Sequence, residues 1–275
     1  MSTRVVAYQG EAGAYSEEGA LATFPDSVHL PLQTIRKVFE AVEVGRADYG
    51  LVPMDNSQAG SINETYDLFL KHGLHLVAET VVRVNHCLMA LPGSHLDELD
   101  EVISHPHAIA QSEEFLNSLD VTVRAEYDTA GAAKKIVDDK LARTGAIASK
   151  RAADVYGLEI LAERIQTYPD NYTRFGSLCR SAQPLRDPNK TSLVFGVGHV
   201  AGSLYRCIGA FAERHLNLTK LESRPRAGRP WEYVFYVDVE APADDSAMVE
   251  ALAEVSDHAT FTRLLGTYAS GFTPR

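Results

Sequence analysis

Cysteine is scarce in this chain: there are three, Cys87, Cys179 and Cys207, and no pair has CxxC spacing. A sparse, odd count argues against a secreted disulfide scaffold and favours a reducing compartment. Long apolar runs are missing too, since no stretch approaches the ~18 residues of a membrane span. The Met1–Tyr8 segment reads into a strand rather than as an apolar export signal. The expectation is a cytoplasmic protein. Positive charge is also short: 26 Lys plus Arg face 37 Asp plus Glu, a net charge of −11. Nucleic acid and anionic membranes both demand a basic surface, so neither is an expected partner. The same field repels an anionic ligand at long range. Any anion site must therefore be local, built from a few Arg or Lys and backbone N–H groups. What is present is a globular composition, 45% hydrophobic and 23% charged over 275 residues, enough for one large domain or two ordinary ones.

The first half alternates strand and helix patterns, as an α/β domain with a mostly parallel sheet does. Strands are expected at Arg4–Gln9, Val28–Leu32 and Tyr49–Val52, with helices at Tyr15–Phe24, Thr34–Val44 and Ser61–Leu70. Ser61 and Glu64 have the spacing of a capping box for the last of these. Leu74–Leu91 breaks the rhythm with a β-rich stretch, after which strands at Val102–Ser104, Val121–Ala125 and Ala146–Ala148 alternate with helices at Pro106–Leu116 and Thr129–Val137. Two α/β lobes joined by extended crossovers explain the interruption, and such folds bind ligands in the crevice at the strand ends. Ser181–Lys190, with Pro184 and Pro188, reads as a linker. Beyond it a βαββαβ pattern follows, with strands at Thr191–Val197, Asn217–Ser223, Trp231–Val239 and Ala259–Gly266 and helices at Gly202–Glu213 and Asp244–Val255. That is the pattern of a small ferredoxin-like module.

Three chemical-looking signals are set aside. Gly196-Val-Gly198-His-Val-Ala201 approaches a dinucleotide fingerprint, but only about fifty residues follow Glu222, too few for the rest of a Rossmann sheet. Glu79 and Glu101 lie four residues from His75 and His105, but across segments that read as strand rather than along a helix face, so His105-Pro-His107 and His72/His75 read as structural or surface histidines rather than metal ligands. Three Asn-x-Thr tripeptides begin at Asn63, Asn171 and Asn217, but they mean nothing as glycosylation sites without an export signal.

Four polar clusters sit beside strand ends: Gly10 to Ser16, Asp55-Asn56-Ser57 with Ser61 to Glu64, Ser104 to Gln111, and Asn171 to Phe175. Each alone is commonly a turn or a helix cap. Together they place hydroxyls, amides and a guanidinium at the mouth of one cleft, which suits a small polyanion.

At these clusters the sequence resembles the prephenate dehydratase family over nearly the whole chain. The resemblance is carried by Tyr8–Glu18, Val52-Pro-Met-Asp55-Asn56-Ser57 through Asn63-Glu64-Thr65, Ser104-His-Pro with Gln111, and Asn171-Tyr-Thr173-Arg174-Phe175, whose Thr-Arg-Phe triplet is the family signature. The C-terminal module is similar to an ACT domain through Gly202-Ser203-Leu204, Asn217-Leu-Thr-Lys and Glu222-Ser223-Arg224-Pro225. Asp55 stands where the family usually has Glu, His107 where Gln is common, and Ala201 where Pro is usual.

The resemblance implies a catalytic domain over residues 1–182, two-lobed like a periplasmic binding protein, and a regulatory ACT domain over 190–275. It implies loss of hydroxyl and carbon dioxide from prephenate to give phenylpyruvate, driven by aromatisation and needing no cofactor or metal. Thr173 is the implied donor to the leaving oxygen, with Asp55, Glu64 and Asp128 unranked as proton sources. Asn56, Ser104 and Gln111 are implied in catalysis or positioning, and Ser16, Asn63, Glu64, Asn171 and Arg174 in substrate binding. Arg174 suits either a bidentate carboxylate clamp or a structural ion pair. L-Phenylalanine is expected as effector between two copies of the ACT module, near Ala201, Gly202, Ser203 and Leu204 and near Asn217, Glu222, Ser223, Arg224 and Pro225, which makes a homodimer or homotetramer. The rivals are arogenate dehydratase and a non-catalytic amino-acid-sensing binding protein.

Overall fold

The computed structural model describes residues 4–226 and 232–271. The elements run β1 (Val5–Gln9), α1 (Tyr15–Thr23), β2 (Val28–Leu32), α2 (Ile35–Glu43), β3 (Tyr49–Asn56), β4 (Gly60–Ser61), α3 (Asn63–Lys71), β5 (His75–Arg83) and β6 (Cys87–Ala90). They continue with β7 (Glu101–Ser104), α4 (Pro106–Gln111), α5 (Glu113–Leu116), β8 (Thr122–Ala125), α6 (Thr129–Asp138), β9 (Thr144–Ala148), α7 (Lys150–Tyr156), β10 (Glu159–Glu163) and β11 (Tyr172–Cys179). The last third holds β12 (Lys190–Val197), α8 (Ser203–Ala212), β13 (Leu218–Pro225), β14 (Tyr233–Val239), α9 (Ser246–His258) and β15 (Ala259–Tyr268).

Packing divides the chain into two compact units, residues 1–65 with 80–175 and residues 66–79 with 176–275. The first unit is built on two sheets. One has the order β2-β1-β3-β11-β5 with β4 on β3, and β1 runs parallel to β2 and β3. The other has the order β10-β6-β9-β7-β8, parallel at β7 and antiparallel at β6. The chain passes from the first sheet to the second through residues 84–86 and returns through 164–171. These crossovers are bonded side by side: Val84 N–H donates to Asn171 O at 2.8 Å and Ile165 N–H to His86 O at 3.0 Å. The first unit is therefore the expected two-lobed α/β arrangement, with both hinge segments pinned together.

Burial follows the sequence pattern. Val6, Ala7, Val38, Phe39, Leu51 and Val52 are fully buried in the first lobe, and Met89, Ile103, Ile136 and Ala146 in the second. The valine, leucine, isoleucine, methionine and phenylalanine side chains among them each contribute roughly 1.5–3 kcal/mol on burial.

Some expected elements differ. Ahead of α3, β3 runs on to Asn56, the chain turns at Gly60 (φ 78°), and Ser61 lies in β4 opposite Asp55. Ser61 Oγ donates to Asp55 Oδ1 at 3.0 Å. The single helix expected at 106–116 is two, because the Gln111 carbonyl accepts from Thr167 N–H at 2.8 Å and Ser112 leaves helical geometry. Helix α7 and strand β10 carried no expectation, although Ser149 caps α7 through Ala152 N–H at 3.0 Å and Gly157 closes it at φ 65°.

In the second unit β13-β14-β12-β15 form an antiparallel sheet, the ferredoxin-like order. Leu193, Phe195, Cys207, Phe211, Val237, Met248 and Val255 form its core. Trp231, expected to begin β14, lies outside the described residues. Residues 66–79 pack in this unit. Tyr236 Oη donates to Tyr66 O at 2.8 Å, and Arg224 pairs with Asp67 at 2.9 Å. Arg263 donates to Phe69 O and, at 2.7 Å, to His72 O, closing the C-terminus of α3.

Candidate active site

A cavity of about 210 Å³ opens in the first unit at the strand ends. Its walls come from Gln9, Ala14, Tyr15 and Ser16 after β1, Pro53, Asn56 and Ile62 around β4, and Val84 and His86 in the first crossover. The rest are His105, His107, Ala108 and Gln111 on or beside α4, Tyr127, Asp128 and Thr129 at the start of α6, and Thr173 and Phe175 on β11.

Two glycines let the loop between β1 and α1 close this cavity. Gly10 has φ 110°, and a Cβ there would lie 2.7 Å from Asp128 Oδ2; Gly13 has φ 87°, and a Cβ would lie 2.6 Å from Ala152 Cα. Neither position tolerates a side chain. The loop is tied to the second lobe by Ser149 Oγ, which donates to Gly13 O at 2.6 Å, and by Arg151 Nε, which donates to Glu17 Oε2 at 2.6 Å. Burial alone would raise the Glu17 carboxyl, but the hydrogen bonds from Arg151 and Gly13 outweigh it and hold it below the usual range. Ala14 offers α1 no side-chain cap, so the first-turn N–H groups on the cavity wall are available to an anion.

The centre of the site is a chain of neutral amides. Asn56 Nδ2 donates to Asn171 Oδ1 at 2.8 Å and to Thr173 Oγ1 at 3.1 Å. Asn171 Nδ2 donates to Gln111 Oε1 at 2.9 Å. Asn171 is fully buried, while Thr173 is half-buried and faces the cavity. Because Thr173 accepts from Asn56, its own hydroxyl hydrogen remains for a ligand.

The other expected residues are placed differently. Arg174 Nε and Nη2 both donate to Asp55 Oδ2, the first at 2.7 Å, and neither residue lines the cavity. Ser104 is fully buried, and its Oγ donates to Ile147 O at 2.6 Å, tying β7 to β9. Ser16 lines the cavity and donates to Gln9 O. Asn63 and Glu64 are exposed at the start of α3. Asp128 caps α6 by accepting from Gly131 N–H at 2.8 Å. It is buried, and burial pushes its carboxyl above the usual range, with the nearby Glu11 charge adding to the rise. None of the described lining residues is Lys or Arg. His105 and His107 are the nearest substitutes, and burial, with His107 beside it, holds His105 toward its neutral form.

Tyr15, within the Gly10 to Ser16 cluster, is a wall of the cavity; sequence reasoning missed His86. A lone histidine in a short crossover carries no spacing signal; only its fold position, beside Gln111 and Asn171, reveals it. Among the described residues no group of three or more His, Cys, Asp or Glu is placed to hold a metal ion, and no helix is long and apolar enough to cross a membrane.

In the second unit a cavity of about 560 Å³ is lined by Val197 to Tyr205 with Tyr233 and Phe235. It gathers Ala201, Gly202, Ser203 and Leu204. Asn217, Glu222, Ser223, Arg224 and Pro225 are not among its walls: Asn217 bonds Glu240 at 2.6 Å, and Arg224 pairs with Asp67.

The prephenate dehydratase family model matches residues 6–183, and the ACT domain model matches residues 191–257. Arogenate dehydratase 5 of Arabidopsis thaliana, a chloroplastic protein, is 44% identical over 99% of this chain and 69% of its own length. Arogenate dehydratase 1 of Petunia hybrida is 45% identical over 99% of this chain and 68% of its length. The crystal structure of prephenate dehydratase from Arthrobacter aurescens in complex with L-Phe superposes with a TM-score of 0.89 at 30% identity, over 96% of this chain and 90% of that one. The structure of GqqA, described as a novel type of quorum-quenching acylase, superposes with the same TM-score at 34% identity over 98% of both chains. With both family models matched in order and whole-chain relatives at this identity, the chain belongs to the prephenate dehydratase family and carries a C-terminal ACT domain.

Proposed function

We propose that the protein dehydrates and decarboxylates prephenate to phenylpyruvate under control by L-phenylalanine, with residues 1–182 catalytic and 190–275 regulatory. The observation that carries the reading is the Asn56–Thr173 hydrogen bond on the wall of a cavity rich in neutral donors. The prephenate dianion takes up one proton and yields the phenylpyruvate anion, carbon dioxide and water. The C–O bond to the ring hydroxyl and the C–C bond to the ring carboxylate both break, and the electron pair left by carbon dioxide completes the aromatic ring. Thr173 donates to the departing oxygen, and help of this kind contributes roughly 10²–10⁴-fold. Among Asp55, Glu64 and Asp128, Asp55 is paired with Arg174 away from the cavity and Glu64 is exposed. Asp128, a buried carboxyl on the cavity wall, is the best-placed proton source. Gln111 and the first turn of α1 receive the substrate carboxylates.

The second reading is arogenate, which carries an ammonium where prephenate has a keto group. Asp128 favours it, as the only acidic residue among the described lining residues and the natural partner for that ammonium. Phenylalanine would occupy the cavity around Ala201 to Leu204, in a homodimer or homotetramer, and the protein would act in the cytoplasm. The test is product formation from prephenate and from arogenate, with and without L-phenylalanine, beside an acylase assay prompted by the GqqA likeness. Phenylalanine-suppressed turnover of prephenate supports the whole reading, and preference for arogenate moves the substrate. Inertness toward both sinks the dehydratase.

A further inference from the structure

The side-chain oxygen of Asn56 accepts from Gln58 N–H at 3.0 Å and Ala59 N–H at 2.9 Å. Backbone N–H groups only donate, so this end of the amide must be oxygen and the other end must be the NH₂. The atom of Asn171 facing that NH₂, 2.8 Å away, must therefore accept. Its own NH₂ then faces Gln111, 2.9 Å away, so the Gln111 atom there is Oε1. His86 Nε2 stands 2.9 Å from the same oxygen, and two lone-pair atoms cannot bond each other, so Nε2 must carry hydrogen. On the far side of the ring, Nδ1 meets Tyr15 Oη at 3.0 Å, and Tyr15 Oη also reaches Asn85 O at 2.7 Å. The donor–acceptor sense is thus fixed from Asn56 through Asn171 to Gln111 Oε1, where the Asn171 NH₂ and the His86 Nε2–H converge. Among the described residues this leaves the Gln111 NH₂ without a protein partner, on the cavity wall.

We propose that His86 is a positioning residue: its Nε2–H, imposed through three amides by the Gln58 and Ala59 backbone, fixes Gln111 so that Gln111 offers its NH₂ to the substrate carboxylate. His86 is almost wholly buried, at 2% exposure, and does not itself meet substrate in this scheme. The kinetic part rests on the dehydratase reading above; the tautomer does not.

Two measurements test it. In the wild-type chain, long-range proton–nitrogen correlation of His86 should show hydrogen on Nε2 at neutral pH, whether or not the protein turns over. A ring with hydrogen on Nδ1 alone overturns the inference. In kinetics, His86→Leu should lower kcat/KM by about tenfold or more, the cost of leaving a buried oxygen short of a donor. His86→Gln, which returns an N–H near the same place, should recover most of the loss. Folding of both variants is checked by thermal melting. Wild-type rates in His86→Leu, or equal losses in two folded variants, overturn the positioning role, because a packing role alone would not favour the amide. A wild-type chain inert on both substrates sinks the function instead, and the tautomer then decides this inference alone.

Discussion

Asn56 Nδ2 lies 3.1 Å from Thr173 Oγ1 and donates to it, so the hydroxyl hydrogen of Thr173 is available to a departing oxygen. Thr173→Val keeps the shape and removes the donor. Turnover should fall by about 10²–10⁴-fold with the fold intact, while Thr173→Ser retains a substantial part. Steady-state kinetics with a melting control check this. A binding protein without chemistry would lose some affinity and nothing else.

Asp128 should reveal itself through pH. Burial raises its carboxyl in the folded chain, so folding is favoured in full below the unfolded value, about 4. That contribution is lost as pH rises through the folded value. Asp128→Asn, still a good helix cap, abolishes the titration. Its melting temperature relative to wild type should therefore climb from pH 4 upward. If Asp128 is the acid, wild-type kcat falls above the raised value and the asparagine variant loses that limb along with most of its rate. If Asp128 instead pairs an ammonium, the variant loses arogenate turnover far more than prephenate turnover.

The Asp55–Arg174 pair sets a prediction about stability. Their side chains are 21% and 14% exposed, so removing one partner strands a partly buried charge. Asp55→Ala should cost about 2–4 kcal/mol, and the double variant with Arg174→Ala should cost less than the sum of the single changes. Denaturant unfolding of the four proteins measures it, and strict additivity would show that the pair is not coupled.

Helix α3 begins with Asn63 and Glu64 in one compact unit and ends, through Tyr66, Asp67 and Arg263, in the other. Asp67→Ala removes the ion pair to Arg224, a loss of at most about 1 kcal/mol at a half-exposed site. Phenylalanine suppression should nevertheless weaken by about fivefold or more, the low end of ordinary coupling. Unchanged inhibition curves would show that α3 carries no signal.

Much of this fold was legible because period and punctuation agreed. The β1, β2 and α2 patterns and the βαββαβ order of the last third all lie where apolar spacing put them. What escaped was decided by contacts distant in sequence. Thr167 reaches Gln111 and breaks the helix expected at 106–116; the hairpin at Gly60 puts Ser61 in a short strand against Asp55; and α7, despite a serine cap and a closing glycine, is too short for periodicity to announce. The site divides in the same way. Thr173, Asn56, Gln111 and Asn171 meet in one network, as their clustering at strand ends suggested. Arg174 does not join them, because its guanidinium lies against Asp55, a pairing 119 residues apart that no local pattern encodes.

The fixed direction of the amide chain also bears on how such a site changes over generations. Each link needs one donor facing one acceptor, so the chain behaves like a row of tiles that all point the same way. Turning one tile alone, for instance Asn171→Asp, sets oxygen against oxygen at Gln111 and leaves a clash. A neighbouring change would have to accompany it. Drift at Asn56, Gln111 and Asn171 should therefore come in matched sets or not at all.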